Sequence, residues 1–494
     1  MLPAAGVAAG VLLPLGYLGV RALEADPAEL AALLLRPQTL ALLGRTLGLA
    51  AGVLAFDLLI AWPLAWLTVR TPLVRVPGLA LVGALPLAVP GYVMAYALLA
   101  LGGGRGPHLA GFWGALLALG LTTYPYLYLN LRTALLALDP GLEEAARSLG
   151  HRPASVFFRV VLPALRPAFL AGGLLVALHV LGDFGVVSLM RYPTFSYAIY
   201  LQYTASFDRT YAAWLALILL ALAALGLALE ARLLRGARPL GRPRPRRRPP
   251  PAPLWATALG AVWALLAGGL GVGLPLAVAL RWLGAGAGLA GVLPAAAHSL
   301  LASLPAALLA ALLAYPLARL EVRRPSPLAG VLARVAYFGY AVPPLALALA
   351  WIFFGLRTAP FLYQTLAMLV LAYTLHFLAE ALGPVRSALY QTPRGLEEAA
   401  RSLGHRPASV FLRVVLPSVG PGLAAGAAFV FLSAMKELPL TFLLAPLGFD
   451  TLATNAWSYA SEAMFAEAAP YALALLAVSA ALVGPLLGRR RDRR

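Results

Sequence analysis

The chain has 494 residues, 61% of them hydrophobic and 12% charged, with a formal net charge of +19 and no cysteine. That balance excludes a water-soluble domain of this length, and the missing cysteine excludes disulfides, thiolate metal sites and a cysteine nucleophile. Every basic residue except Lys436 is arginine, and many flank apolar runs, so the charge reads as the inner face of a membrane rather than as a nucleic-acid surface.

In chain order, apolar runs of about 20 residues or more fall near 2–23, 41–68, 74–101, 109–136, 165–190 and 211–232. A second set follows near 253–280, 296–319, 327–355, 364–383, 418–446 and 468–488. The expectation is an all-α polytopic membrane protein with about twelve transmembrane helices, six per half and parallel in orientation. The first run lacks a basic leading segment and a convincing cleavage site, so it reads as a retained helix. The domains are drawn at 1–234 and 253–494, joined by a basic, Pro/Arg-rich linker at 235–252. Arg70, Arg75, Arg319, Arg323, Arg324, the linker and the tail RRRDRR at 489–494 fall on one side if both termini are cytoplasmic. Arg21, Arg36, Arg105, Arg191, Arg209, Arg281 and Arg357 are scattered over the other.

One element occurs twice on the arginine-rich side. Gly141 to Pro163 reads GLEEAARSLGHRPASVFFRVVLP, and Gly395 to Pro417 repeats it with a single change, Phe158 to Leu412. Asp139-Pro140 and Thr392-Pro393 are N-cap and first-position signals, and Glu143, Glu144, Glu397 and Glu398 suit the first helical turn. Gly150 and Gly404 suit a left-handed helix stop, after which Arg-Pro starts a second helix, expected to end at Leu162-Pro163 and its counterpart. Interfacial amphipathic helices would have such faces. Near-identity over the whole element instead points to two docking sites for one partner.

The spacing Glu144-Ala145-Ala146, Gly150, Val160, Leu162-Pro163, repeated as Glu398-Ala399-Ala400, Gly404, Val414, Leu416-Pro417, resembles the EAA signature of membrane subunits of binding-protein-dependent ABC importers. That resemblance implies two fused permease domains whose coupling elements, 141–163 and 395–417, dock on ATPase subunits. The segments 183–200 and 436–462, with 33–52 and 65–73, further resemble fused permeases of the ferric iron importer family. Thiamine, polyamine, sulfate and phosphonate permeases share the motif and stand as alternatives. The implied setting is the bacterial inner membrane, with a periplasmic or lipid-anchored binding protein and two copies of an ATPase as partners. An ion-coupled secondary transporter with parallel repeats is the alternative of a different class.

The chain itself offers no catalytic site. A Walker A loop needs GxxxxGK[ST], and Lys436 sits in MKE. ATP and Mg therefore belong to a separate subunit, and no cofactor is expected here. No nucleophile arrangement, HExxH motif or metal cluster stands out. Asp183 and Glu437 each lie twenty residues beyond the repeat's closing proline, so they occupy equivalent places on spans five and eleven. With Lys436 they are the candidate translocation path or gate; the other reading is that Lys436 neutralises Glu437 locally and Asp183 is a helix-end residue. Carboxylate and phenolate oxygens suit a hard cation such as Fe(III), and Tyr192, Tyr197, Tyr200 and Tyr203 read either as such donors or as an aromatic belt. Asp57 and Glu380 read as interior-lining or structurally paired. His179, His298 and His376 read as satisfied buried histidines, and His151 and His405 as part of the docking turn.

Overall fold

A computed structural model describes residues 2–24, 32, 36–76, 78–101, 109–205, 209–234, 253–286 and 288–488. The linker at 235–252, Arg105 and the tail at 489–494 lie outside the described residues. Among the described residues the fold is helical throughout, with no strand. Seven helices are long and apolar enough to cross a membrane, or eight when one bent pair is taken as a single span. Every one of the twelve apolar runs is helical, but not all are single rods.

Two runs break at equivalent places. The third dissolves into short pieces, Pro72–Arg75, Leu79–Val82, Leu85–Ala88 and Gly91–Ala100. Pro86 and Pro90 interrupt it, since a proline removes an amide donor and crowds the preceding turn. The ninth becomes Pro327–Ala341 and Pro344–Thr358, bent by 107° at Val342-Pro343. The fifth and eleventh runs also stop early, at Gly182 and Met435, before the short helices Gly185–Leu189 and Pro439–Leu444.

One long helix shows small residues inside and leucine outside. On Val292–Arg323, Ala302, Ala306, Ala310 and Ala314 are buried, whereas Leu300, Leu304, Leu308 and Leu312 are exposed. In lipid there is little hydrophobic gain from burying leucine, so close backbone approach through small side chains holds such helices together.

The two halves exchange their first helices. Leu2–Ala22 lies against Pro327–Ala341 and Pro344–Thr358. There the Tyr17 and Phe354 rings meet at 5.6 Å, the Thr358 hydroxyl bonds the Tyr17 hydroxyl at 2.7 Å, and Arg357 pairs with Glu24 at 2.6 Å. In return Leu254–Leu283 lies against the first half. Trp263 Nε1 donates to the Ile60 carbonyl at 3.2 Å and Trp282 Nε1 to the Ala100 carbonyl at 3.1 Å.

Candidate functional site

The repeats form two copies of one geometry. Pro140–Ser148 is capped by Asp139, whose Oδ1 accepts from the Gly141 amide at 2.9 Å. The helix closes with Gly150 at φ +82°, the Gly150 amide bonding the Arg147 carbonyl and the His151 amide the Ala146 carbonyl. Gly404 has the same φ and the same pair of bonds, to Arg401 and Ala400. This left-handed stop needs glycine because a Cβ there meets the following carbonyl. In the second copy the expected Thr392 cap is absent. The Thr392 hydroxyl turns back to the Ala388 carbonyl at 2.9 Å, and its own carbonyl accepts from Arg323 Nη2 at 2.8 Å.

The second helix of each repeat does not end at its proline. Pro153–Val156 passes through a wide π turn, Phe157–Val161, directly into Leu162–Gly182, and Pro407–Val410 does the same through Phe411–Val415 into Leu416–Met435. In the π turn the Leu162 amide reaches the Phe157 carbonyl five residues back, and Leu416 reaches Phe411. The extra residue per turn moves backbone away from the ring of Pro163 or Pro417, so the helix continues where an α turn would clash. The repeated segment and the fifth or eleventh span are therefore one rod.

Each repeat is also anchored to the end of an earlier span through its first glutamate. Glu143 is buried and accepts two bonds from Arg70, at 2.9 and 2.6 Å. Arg70 in turn stacks over Trp66 at 5.0 Å, and Trp66 meets Phe157 at 5.5 Å. In the second copy Glu397 pairs with Arg323 at 3.1 Å and Arg319 at 3.6 Å, while Phe411 meets Tyr315 at 5.2 Å. Glu144, Ala145, Glu398 and Ala399 instead face outward, whereas Ala146 and Ala400 are buried. Beside the outward acids lie Leu142, Leu149 and Phe158, or Leu396, Leu403 and Leu412, all exposed.

The breaks in the third, fifth, ninth and eleventh spans converge on a cavity of about 210 Å³. Asp183, Lys436 and Glu437 line it, together with Glu380, His179 and Tyr126. Asp183 Oδ1 accepts from the amides of Val186 and Val187 at 3.0 and 3.2 Å, and Glu437 Oε1 accepts from the Leu440 amide at 3.0 Å. Both acids thus cap the short helix that follows a broken span. Glu380 accepts from the Ser433 hydroxyl at 2.9 and 2.8 Å. Among the described residues no three His, Asp or Glu side chains converge as a metal-binding group.

The structure decides between several of the sequence readings and overturns others. Lys436 does not neutralise Glu437; its Nζ donates to the Leu87 carbonyl of the other half at 3.2 Å. Glu380 lines the cavity, whereas Asp57 is fully buried between helices and accepts from Thr123 Oγ1 at 2.8 Å. His179 faces the cavity rather than being a satisfied buried histidine. His376 is buried and bonded to the Gly339 carbonyl at 3.1 Å, and His298 bonds the Asp450 carbonyl from an exposed position. Tyr192, Tyr197, Tyr200 and Tyr203 stay outside the cavity lining; Tyr200 packs on Phe184 at 4.8 Å and Phe442 at 5.6 Å. The repeat spacing carried the missing signal for Glu380, since it aligns this residue with Tyr126 and aligns Ser433 with His179.

Two six-run halves, each with an outward-facing copy of one repeated element, meet around a polar cavity. The family description "Binding-protein-dependent transport system inner membrane component" matches residues 78–239 and 303–494. The chain belongs to this family. Among the permeases it resembles, it is 32% identical over 483 residues to the Fe(3+)-transport system permease protein FbpB 2 of Haemophilus influenzae, covering 94% of this chain and 93% of that protein. It is 33% identical over 192 residues to the sulfate transport system permease protein CysT of Salmonella typhimurium, covering 36% of this chain and 68% of that protein. A shorter match, 37% over 136 residues, joins it to the molybdenum transport system permease protein ModB of Escherichia coli, covering 24% of this chain and 58% of that one. As a permease of this family it is a multi-pass transport protein with two copies of the transport domain in one chain.

Proposed function

We propose that this permease is the membrane subunit of an ATP-driven importer of ferric iron in the bacterial inner membrane, with both termini cytoplasmic. The observation that carries the substrate is the near full-length likeness to a Fe(3+) permease, against partial likeness to sulfate and molybdenum permeases. The cavity supports the same reading. Its carboxylates suit a hard cation and oppose an oxyanion. Because no three His, Asp or Glu side chains among the described residues converge as a metal-binding group, contact with the cargo is transient, as release requires.

In this reading two copies of one ATPase, using Mg and ATP, dock on the outward faces of 141–163 and 395–417. Glu144, Ala145, Glu398 and Ala399 face these partners. Glu143, Ala146, Gly150 and their counterparts Glu397, Ala400 and Gly404 hold the elements in shape. Closure of the ATPase pair moves the two rods, and because each rod ends at Gly182 or Met435 beside the cavity, the motion opens and closes the path in alternating access. A periplasmic or lipid-anchored binding protein delivers the cargo to the opposite face.

The test is uptake of radiolabelled ferric iron by vesicles holding this chain, its ATPase and its binding protein, with labelled sulfate and thiamine in parallel. Iron uptake that requires both ATP and the binding protein is expected. Sulfate or thiamine uptake without iron overturns the substrate, and uptake of any of the three without the ATPase overturns the coupling.

A further inference from the structure

Lys436 is the lone lysine of the chain, and it stands in the wall of a cavity within the membrane-spanning part of the protein. An ionisable group in such a place is costly and seldom without a role. Its ammonium has three donors, and among the described residues one is used, toward the Leu87 carbonyl at 3.2 Å. Leu87 lies in the broken third span of the opposite half. The Tyr92 hydroxyl, from that same half, donates to the Lys436 carbonyl at 3.3 Å. Lys436 thus ties the two halves across the cavity by both its side chain and its backbone.

The same cavity holds three carboxylates, those of Asp183, Glu380 and Glu437. Glu380 lines the same space as Lys436, and no contact ion pair joins them among the described residues. Asp183 and Glu437 each bind backbone amides through one oxygen and leave the other without a described hydrogen bond. The repeat spacing aligns Lys436 with Gly182, where a Cβ would already sit 3.1 Å from Pro344 Cδ. The first half therefore carries a glycine at this place and no second ammonium. One mobile positive charge, on a flexible four-carbon stem, faces three negative ones.

We infer that Lys436 is a tethered counter-ion: with the cavity empty its ammonium occupies the field of the three carboxylates and bars small cations, and an entering cationic cargo displaces it from the Leu87 carbonyl. The barrier rests on the permease alone, whereas the identity of the displacing cargo rests on the ferric reading above. A neutral side chain at this position leaves the carboxylates uncompensated and removes the side-chain tether at the same time.

The experiment uses the full chain reconstituted alone in liposomes that contain calcein, with Mn(II) added outside and dye quenching followed in time. Wild-type vesicles are expected to quench at the rate of protein-free vesicles. Lys436→Met raises the rate at least fivefold, Lys436→Arg stays within twofold of wild type, and adding Glu380→Gln to Lys436→Met brings the rate down again. A Met variant as tight as wild type, or an Arg variant as leaky as Met, overturns the inference. Because no other lysine is present, the folded wild-type chain provides a second route that avoids refolding. Acetylation neutralises Lys436 and should open the leak, whereas reductive dimethylation keeps its charge and should not; equal leak after both overturns the inference as well. Failure of the wild-type complex to import iron would remove the cargo assignment and leave the leak comparison standing.

Discussion

Arg70 and Glu143 are joined by two parallel hydrogen bonds although they lie on different helices, and both side chains are less than a tenth exposed. A bidentate guanidinium–carboxylate pair fixes orientation as well as distance, so the start of the repeated element cannot turn independently of the end of the second span. In the other half Glu397 is held instead by two arginines, Arg323 at 3.1 Å and Arg319 at 3.6 Å.

Breaking that pair from one side should be costly, because the remaining charge is left buried. Arg70→Ala is expected to lose about 3–5 kcal/mol, read as a lower midpoint of thermal unfolding in detergent. The exchange Arg70→Glu with Glu143→Arg should recover a substantial part of it. A double variant no more stable than Arg70→Ala would show that the pair itself contributes little.

The neighbouring glutamates should behave in the opposite way. Glu144→Ala with Glu398→Ala removes exposed side chains, so stability should stay within about 0.5 kcal/mol of wild type. ATPase co-purification and ATP-driven uptake should each fall at least tenfold. Normal uptake in this variant would reject the docking role of the outward face.

Asp183 and Glu437 can be tested as charges apart from their roles as caps. Asp183→Asn and Glu437→Gln keep a carbonyl oxygen for the amides of Val186, Val187 and Leu440 but carry no charge. Iron uptake is expected to fall at least tenfold in the double variant with assembly unchanged. If it transports normally while the double alanine variant fails to assemble, both acids are structural caps only.

The π turns offer a geometric test. Deleting Arg159 removes the extra residue of the π turn, so a regular α turn would press the ring of Pro163 against the preceding backbone and bend or break the rod. The chain should still insert in the membrane, and coupled uptake should drop at least tenfold. Retained coupling would mean that the rod does not transmit the motion.

Much of this was readable in the sequence because local chemistry decided it. Runs of leucine and alanine marked all twelve helical regions, and Asp139, Gly150 and Gly404 took the cap and stop conformations that their residue types favour. Other features depended on partners remote in the chain. Nothing near Glu143 separates it from Glu144; Arg70 does, and it comes from another helix. Lys436 reads as the partner of Glu437 because they are adjacent, yet the broken eleventh span turns its side chain toward Leu87. The π turns were hidden because a proline after a short helix normally signals an end, and here the wider turn absorbs it.

The exchange of first helices means that neither half is a complete packing unit, and having both in one polypeptide guarantees that each meets its unlike twin. Two identical subunits around the same axis would have to place a lysine opposite a lysine, or a glycine opposite a glycine. A single continuous chain is free of that symmetry, so selection could modify one wall of the cavity while the other kept its shape, and left the twin repeated elements all but unchanged.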